Sequence, residues 1–157
     1  MWPFSKQTLG QSIRDISRRI DTSSEDAHLK CLENLHTKER AAWAVWILKC
    51  EVENGGFAQY FWNFENEAFY TEASRGLLTI GATKHATLLN SALDLIKPHL
   101  EVMHTWQGSN DRFEKYKPHL QQTGILDQFL KLDGEFYDFK PSIACLLSRF
   151  LKVKNDE

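Results

Sequence analysis

The chain has 157 residues, of which 42% are hydrophobic and 12% aromatic, and five of them are tryptophans. This composition excludes an intrinsically disordered protein, and the length fits one domain with a substantial core. The formal net charge of −2 excludes a protein that binds nucleic acid through a large positive charge, so no direct nucleic-acid binding is expected.

The amino terminus, Met1-Trp-Pro-Phe-Ser-Lys6, lacks the order of charged and apolar residues that is typical of a signal peptide. No stretch approaches 18 uninterrupted apolar residues, so no membrane-spanning helix is predicted. The three cysteines, Cys31, Cys50 and Cys145, are widely spaced and odd in number, which favours reduced thiols over a disulfide framework. A cytoplasmic location is therefore expected.

Helical spacing of apolar residues predicts an all-α fold, a single domain over residues 1–157 with about seven or eight helices. Residues 9–20 carry apolar side chains at i, i+4, i+7 and i+11, which predicts a first helix with one buried face. The segment Thr22-Ser-Ser-Glu25 has the pattern of a capping box. It predicts the start of a second helix that reaches about Leu35.

The third predicted helix begins near Thr37, which is expected to cap it. Two apolar stripes run along this helix, so it is expected to be central and the most buried. It runs into Asn54-Gly55-Gly56, where the two glycines predict a tight corner because glycine enters positive-φ space without steric cost. A short aromatic helix follows, in which Gln59 and Asn63 lie four residues apart on one face.

Turn residues divide the second half of the chain. A fifth helix is predicted to end at Gly81, and a sixth is predicted to be capped by Thr83. Residues 98–124 contain two prolines and two glycines, so only a helical turn or two over 109–117 is predicted there. Two further helices are predicted after this region, and Pro141 is expected in the first turn of the last one.

Residues 51–63 read Glu-Val-Glu-Asn-Gly-Gly-Phe-Ala-Gln-Tyr-Phe-Trp-Asn, and this run resembles the signature of a family of small bacterial helical proteins best known for a DNA-mimic protein. Two later stretches, Gly76–Ala82 and Leu132–Tyr137, are similar to the same family. The resemblance covers about residues 35–152, which leaves 1–35 as an amino-terminal helical extension. It implies an acidic homodimer that displays carboxylates like DNA phosphates and occupies a DNA-binding regulator.

The segment from Glu51 to Ser74 contains five carboxylates and neither lysine nor arginine. This pattern predicts an acidic surface that meets a basic face of a protein partner, because complementary charge speeds association and selects partners. An ordinary solvated face of a helical bundle is the alternative. The candidate partner-binding residues are Glu51, Glu53, Glu65, Glu67 and Glu72.

The glycine corner has two interpretations. It is either a structural joint whose amides cap neighbouring helix ends, or an edge that binds a partner or a ligand. It is not a phosphate loop, because it has no GxGxxG pattern and no Lys-Ser/Thr follows it. The residues of interest at this corner are Asn54, Gly55, Gly56, Phe57, Gln59, Tyr60 and Asn63.

The segments Glu33-x-x-His36 and Glu101-x-x-His104 both match the Glu-x-x-His unit that carboxylate-bridged di-metal bundles use twice. So short a pattern also arises by chance in a chain with six histidines and many glutamates. A di-metal site would need two more inward-pointing glutamates, which the sequence does not place. No metal ligand and no cofactor are therefore predicted.

No motif for nucleophilic catalysis is present, since the chain has no GxSxG, no HExxH and no cysteine in an activating context. His85, His99 and His119 are each expected to stand alone. The preferred function is therefore non-enzymatic: an interaction module with a DNA-binding regulator as the candidate partner. Two alternatives remain open, a metal- or small-molecule-binding helical bundle and an immunity or antitoxin-like protein.

Overall fold

A computed structural model describes residues 7–153, and in this range the fold is one compact all-α domain without strands. The amino-terminal segment that supports the expected cytoplasmic location lies outside the described residues, as do residues 154–157. The helices are α1 (Leu9–Ser17), α2 (Glu25–Glu33), α3 (Thr37–Asn63), α4 (Glu67–Thr79), α5 (Thr83–Ile96), α6 (Leu100–His104), α7 (Arg112–Gln122), α8 (Ile125–Asp138) and α9 (Ile143–Leu151), with a 3-10 turn at Lys97–His99 before α6. The predicted all-α class is confirmed.

Helix α3 is the centre of the fold, as predicted. It packs against α1, α4, α8 and α9. Its first half buries Ala42, Val45, Leu48 and Val52 completely. One apolar stripe of α3 is buried by neighbouring helices, and the other, which includes Trp46 and Ile47, is partly covered. The remaining elements are therefore positioned around this one axis.

The predicted corner is present within α3. Gly55 has φ −155° and ψ 20°, and Gly56 has φ 73° and ψ −175°, so two helical halves meet at a bend. The positive φ of Gly56 is the conformation that favours glycine. The half that follows is aromatic and buried, with Phe57, Tyr60 and Phe61 almost entirely removed from solvent.

Helix α4 crosses α3 at close range and ends where predicted. A Cβ atom at Gly76 would lie 2.8 Å from the carbonyl oxygen of Ala41 and 2.8 Å from a methyl carbon of Val45. Only a residue without a side chain lets the two helices approach this closely. After α4 the chain turns at Gly81, which has φ 84° and completes a Schellman motif.

Several predicted helix caps are wrong. Ser24, not Thr22, caps α2, and the carboxylate of Glu25 does not complete a capping box but accepts hydrogen bonds from the turn between α3 and α4. Thr37 and Thr83 are the first helical residues of α3 and α5 rather than their caps. A capping residue has an extended backbone, which lets its hydroxyl accept a hydrogen bond from the amide two or three residues later. A residue at the first helical position already has a helical backbone, so its hydroxyl cannot do this.

Residues 98–124 contain more helix than predicted, namely α6 and all of α7. Pro118 lies inside α7, where proline removes one backbone donor without ending the helix. Pro141 was expected in the first turn of the last helix, which is wrong. It follows a cis peptide bond and precedes Ser142, whose hydroxyl caps α9 by accepting from the amide of Cys145.

Candidate interaction site at the glycine corner

The helical half that restarts after the corner is capped from another helix. The amide of Phe57 donates to Oδ1 of Asp133 on α8 at 2.9 Å. The first amides of a helix have no partner within the helix, so this carboxylate supplies one. A Cβ atom at Gly56 would lie 2.2 Å from Oδ2 of Asp133. Gly56 is therefore required both for its positive φ and for the space that Asp133 occupies.

Two more contacts join the same stretch of α8 to the corner. The hydroxyl of Tyr137 donates to the carbonyl of Val52 at 2.5 Å, and the ring of Phe136 meets that of Phe57 edge to face at 5.8 Å. Burial raises the pKa of Asp133, and the hydrogen bond from Phe57 opposes this shift. Two of the stretches that carried the family resemblance are thus in direct contact.

On the opposite side of the corner, side-chain amides form a network with one carboxylate. Nδ2 of Asn54 donates to Oε1 of Gln59 at 3.0 Å. Gln59 and Asn63 each donate to Oε2 of Glu51 at 2.7 Å. A Cβ atom at Gly55 would lie 2.3 Å from Oε1 of Gln59, so this glycine also makes room for a partner.

The interpretation that these amides cap helix ends is therefore wrong for their side chains, which bind one another and Glu51. The shared face predicted for Gln59 and Asn63 is confirmed, since both reach the same carboxylate oxygen. This arrangement fixes the wall of an adjoining groove, because each amide is held by a partner on α3 itself.

A groove of about 510 Å³ opens between the second half of α3 and α7. Trp62 forms its aromatic wall with Phe113, 5.7 Å away and edge to face, and with Tyr116, 5.0 Å away. The hydroxyl of Tyr116 donates to the carbonyl of Ala58 at 2.6 Å, which attaches α7 to α3. Lys117 lies at the exposed rim. The groove is thus mainly apolar, with one cation at its edge.

The five candidate carboxylates do not form one exposed acidic surface. Glu72 is only 8% exposed and accepts hydrogen bonds from Arg40 and Arg75, and Glu65 forms an ion pair with Arg112. The cations that segment 51–74 lacks are thus supplied from outside it, by Arg40 on α3, Arg75 on α4 and Arg112 on α7. A count of charges along the segment could not show this pairing.

Glu53 and Glu67 are the exposed members of the five. Glu53 pairs with Lys49 at 2.7 Å, yet its side chain remains 42% exposed. Burial, followed by the charges of Asp133 and Glu53, raises the pKa of Tyr137. Glu53 is therefore an accessible carboxylate just before the corner, and Glu67 begins α4.

The two Glu-x-x-His units lie apart on the surface. Glu33 and His36 are exposed between α2 and α3, and Glu101 and His104 are exposed on α6. A carboxylate-bridged di-metal site needs such units to point into the bundle. Across residues 7–153 no cluster of three histidine, cysteine or acidic side chains has the proximity to hold a metal ion. This placement gives the metal-binding alternative no support.

Two histidine contacts were missed by sequence reasoning. Nδ1 of His99 and Nε2 of His119 are hydrogen-bonded at 2.9 Å, so the expectation that each stands alone is wrong. Burial, and then the charge of His99, lowers the pKa of His119. Trp43 donates to the buried His28 at 2.9 Å, and burial lowers the pKa of His28. Both contacts join separate helical segments, for which the sequence offers no local signal.

Within the described part of the chain, no helix has the length and apolar character needed to cross a bilayer. A model of the DMP19-like protein family, a family of DNA mimics, matches residues 33–154. No curated protein and no solved structure matches the chain significantly. The matched range includes the whole glycine corner, α4 and α8, and it spans most of the 157 residues. The chain therefore belongs to the DMP19-like protein family.

Proposed function

We propose that this is a non-enzymatic bacterial protein of the cytoplasm that binds a DNA-binding regulator through an acidic surface, in the manner of a DNA mimic. The observation that carries this proposal is membership of a family of DNA mimics. The three cysteines are free, which suits a reducing compartment. A basic protein that normally contacts phosphates is the partner that such a surface would select.

The ion pairs within the protein limit which carboxylates a basic partner can contact. A basic side chain of a partner would have to displace an arginine to reach Glu65 or Glu72, and the bidentate pair of Arg40 with Glu72 is a strong competitor. Glu53 and Glu67 remain accessible. We assign the partner contact to these two, and a structural role to the other three carboxylates.

A homodimer would extend this surface. Two chains carry a formal charge of −4, twice the −2 of one chain, and they double the number of accessible carboxylates. Repeated carboxylates on a longer surface would present negative charge over more of the length that a duplex offers than one chain does. Dimerisation is thus part of the proposed mechanism rather than a separate function.

The test is capture of DNA-binding proteins from a lysate of the source bacterium by the immobilised protein, with elution by duplex DNA. The site variant is Glu53→Lys with Glu67→Lys. Its matched control is Asp94→Lys with Glu101→Lys, which reverses two exposed carboxylates on α5 and α6. We expect the wild type and the control to release a basic protein on addition of DNA, and more easily as salt rises. The site variant is expected to lose this capture.

Three outcomes would overturn parts of the proposal. Equal capture by both double variants would exclude Glu53 and Glu67 as the contact. Capture of an enzyme that duplex DNA does not displace would indicate the immunity-like alternative instead. If the wild type captures no protein that DNA releases, DNA mimicry is contradicted. Circular dichroism of each variant shows whether a loss of capture reflects a loss of helix.

A further inference from the structure

The groove between the second half of α3 and α7 takes no part in the proposed acidic contact, yet it has the composition of a ligand site. We propose that it binds a small amphiphilic carboxylate, a compound with an aromatic or branched aliphatic body and one acid group. The proposal stands apart from the proposed function, since it uses neither Glu53 nor Glu67.

Size and lining favour a small molecule. The volume of about 510 Å³ falls within the range of roughly 300–1,000 Å³ that is usual for such sites. Three aromatic rings line it, and Phe113 is 67% exposed although its ring rests edge-on against Trp62. The exposed Phe113 ring continues the apolar surface of the groove, and a contiguous exposed apolar patch with a polar rim marks an interaction site. A ligand ring placed against Phe113 and Trp62 would pack on both aromatic side chains.

The charge at the rim selects the acid. Arg112 is already committed, since it pairs with Glu65 and lies 4.1 Å above the ring of Trp62. Lys115 likewise pairs with Asp111 at 2.9 Å. Lys117 lines the groove, and within residues 7–153 it has neither a hydrogen bond nor an ion pair through its side chain. It is therefore the free cation of the groove, and a carboxylate is its natural partner.

The opposite wall sets the orientation of the ligand. Gln59 and Asn63 each commit one amide N–H to Glu51, and the charge of Glu51 repels an anion from this wall. The acid group is thus directed to Lys117 and the apolar body to the rings. The amide network and the hydrogen bond of Tyr116 to α3 hold the groove open in advance, which removes the cost of ordering it.

The test is isothermal titration calorimetry with three compounds of the same shape: 4-phenylbutyrate, 4-phenylbutanol and 4-phenylbutylamine. We expect the acid to bind about tenfold more tightly than the alcohol because of its charge-assisted contact with Lys117. The amine, which Lys117 repels, is expected to bind more weakly still. Octanoate and 2-naphthoate, with an aliphatic and a larger aromatic body, extend the series.

Variants locate the binding. Lys117→Gln should reduce the affinity for the acid to that for the alcohol, and Phe113→Ala should weaken acid and alcohol alike, by about tenfold. The matched controls are Lys97→Gln and Leu78→Ala, an exposed lysine and an exposed leucine that line a separate groove between α4 and α5. These controls should leave both affinities unchanged.

The proposal is overturned if none of the three acids binds, if acid and alcohol bind equally, or if Lys117→Gln has no effect. It is also overturned if the controls weaken binding as much as the groove variants do, since the site would then be elsewhere. Both lysines and Phe113 are exposed, so these substitutions are expected to leave the fold intact.

Discussion

The two sides of the glycine corner differ in what their polar groups bind. On the α8 side, Asp133 and Tyr137 form hydrogen bonds with backbone groups of α3, so the two helices are in direct contact. On the α7 side, Gln59 and Asn63 bind Glu51, and a groove with an exposed Phe113 stays open beside them. Substitutions on the first side should therefore cost stability, and substitutions on the second should cost binding.

At the corner itself the largest effect is expected from Gly56→Ala, because Gly56 combines a φ of 73° with the contact to Asp133. We expect a loss of about 3 kcal/mol in the free energy of unfolding, from an unfavourable backbone conformation and a steric clash. Urea denaturation followed by circular dichroism measures it. Gly124→Ala is the comparison variant, with a similar φ of 72°, a ψ of 5° in the left-handed helical region and no atom within 4 Å of the added Cβ.

Gly124→Ala should lose only about 1–2 kcal/mol, the cost of the backbone conformation alone. In an Asp133→Ala background the added cost of Gly56→Ala should fall, because the clashing carboxylate is gone. It should stay above that of Gly124→Ala, because a ψ of −175° at Gly56 is less accessible to alanine than a ψ of 5° at Gly124. A cost of Gly56→Ala that is the same with and without Asp133→Ala would show that the contact with Asp133 contributes nothing.

A smaller loss, about 1–2 kcal/mol, is expected for Asp133→Ala, which leaves the amide of Phe57 without its cap. Asp133→Asn keeps an acceptor oxygen and should lose less. Burial raises the pKa of Asp133, so its charged form is disfavoured in the folded protein and its contribution to stability falls as pH rises through the folded-state pKa. Asparagine avoids that charge, and an asparagine variant as unstable as the alanine variant would contradict the cap.

Acid pH should weaken the α7 side through His119. Burial and the charge of His99 lower the pKa of His119, so this group supports folding fully above a pH of about 6.5 and does so less as pH falls below it. We expect the thermal midpoint to fall between pH 7.5 and pH 5.5, and the fall to be smaller in His119→Gln. Other histidines, such as His28, titrate with the same sign and remain in this variant. An unchanged pH dependence would exclude a contribution from His119.

The smallest effect on stability is expected for Phe113→Ala. Its ring is 67% exposed, so truncation should change the free energy of unfolding by no more than about 0.5 kcal/mol. Phe136, buried on the α8 side, should cost about 3–5 kcal/mol when truncated in the same way. Similar losses from the two substitutions would remove the distinction between a structural side and a binding side.

Features set by local backbone demands could be predicted from the sequence. The corner at Gly56 and the turn at Gly81 follow from the positive φ that glycine alone adopts easily. The central position of α3 follows from its two apolar stripes. Caps were less predictable, because Thr22, Ser23 and Ser24 offer three successive hydroxyls and only the backbone decides which one is used.

Features that depend on distant residues could not be predicted. The five carboxylates of segment 51–74 were read as one acidic face, but Arg40 and Arg112, from outside that segment, neutralise Glu72 and Glu65. No spacing rule links those positions. The groove also depends on a distant helix, because α7 forms one of its walls. The prolines and glycines of residues 98–124 predict turns there, so the full length of α7 could not be expected from the sequence.

The hydrogen bond from Phe57 to Asp133 joins residues 76 positions apart, and this separation has a consequence for the order of folding. Contacts between distant residues form late, because a long loop must first lose its conformational freedom. A chain emerging from the ribosome completes α3 and α4 well before α8 exists, so the amide of Phe57 stays open to water in the meantime. We expect this amide to gain protection from hydrogen exchange only when α8 docks, after the first half of α3 is already protected.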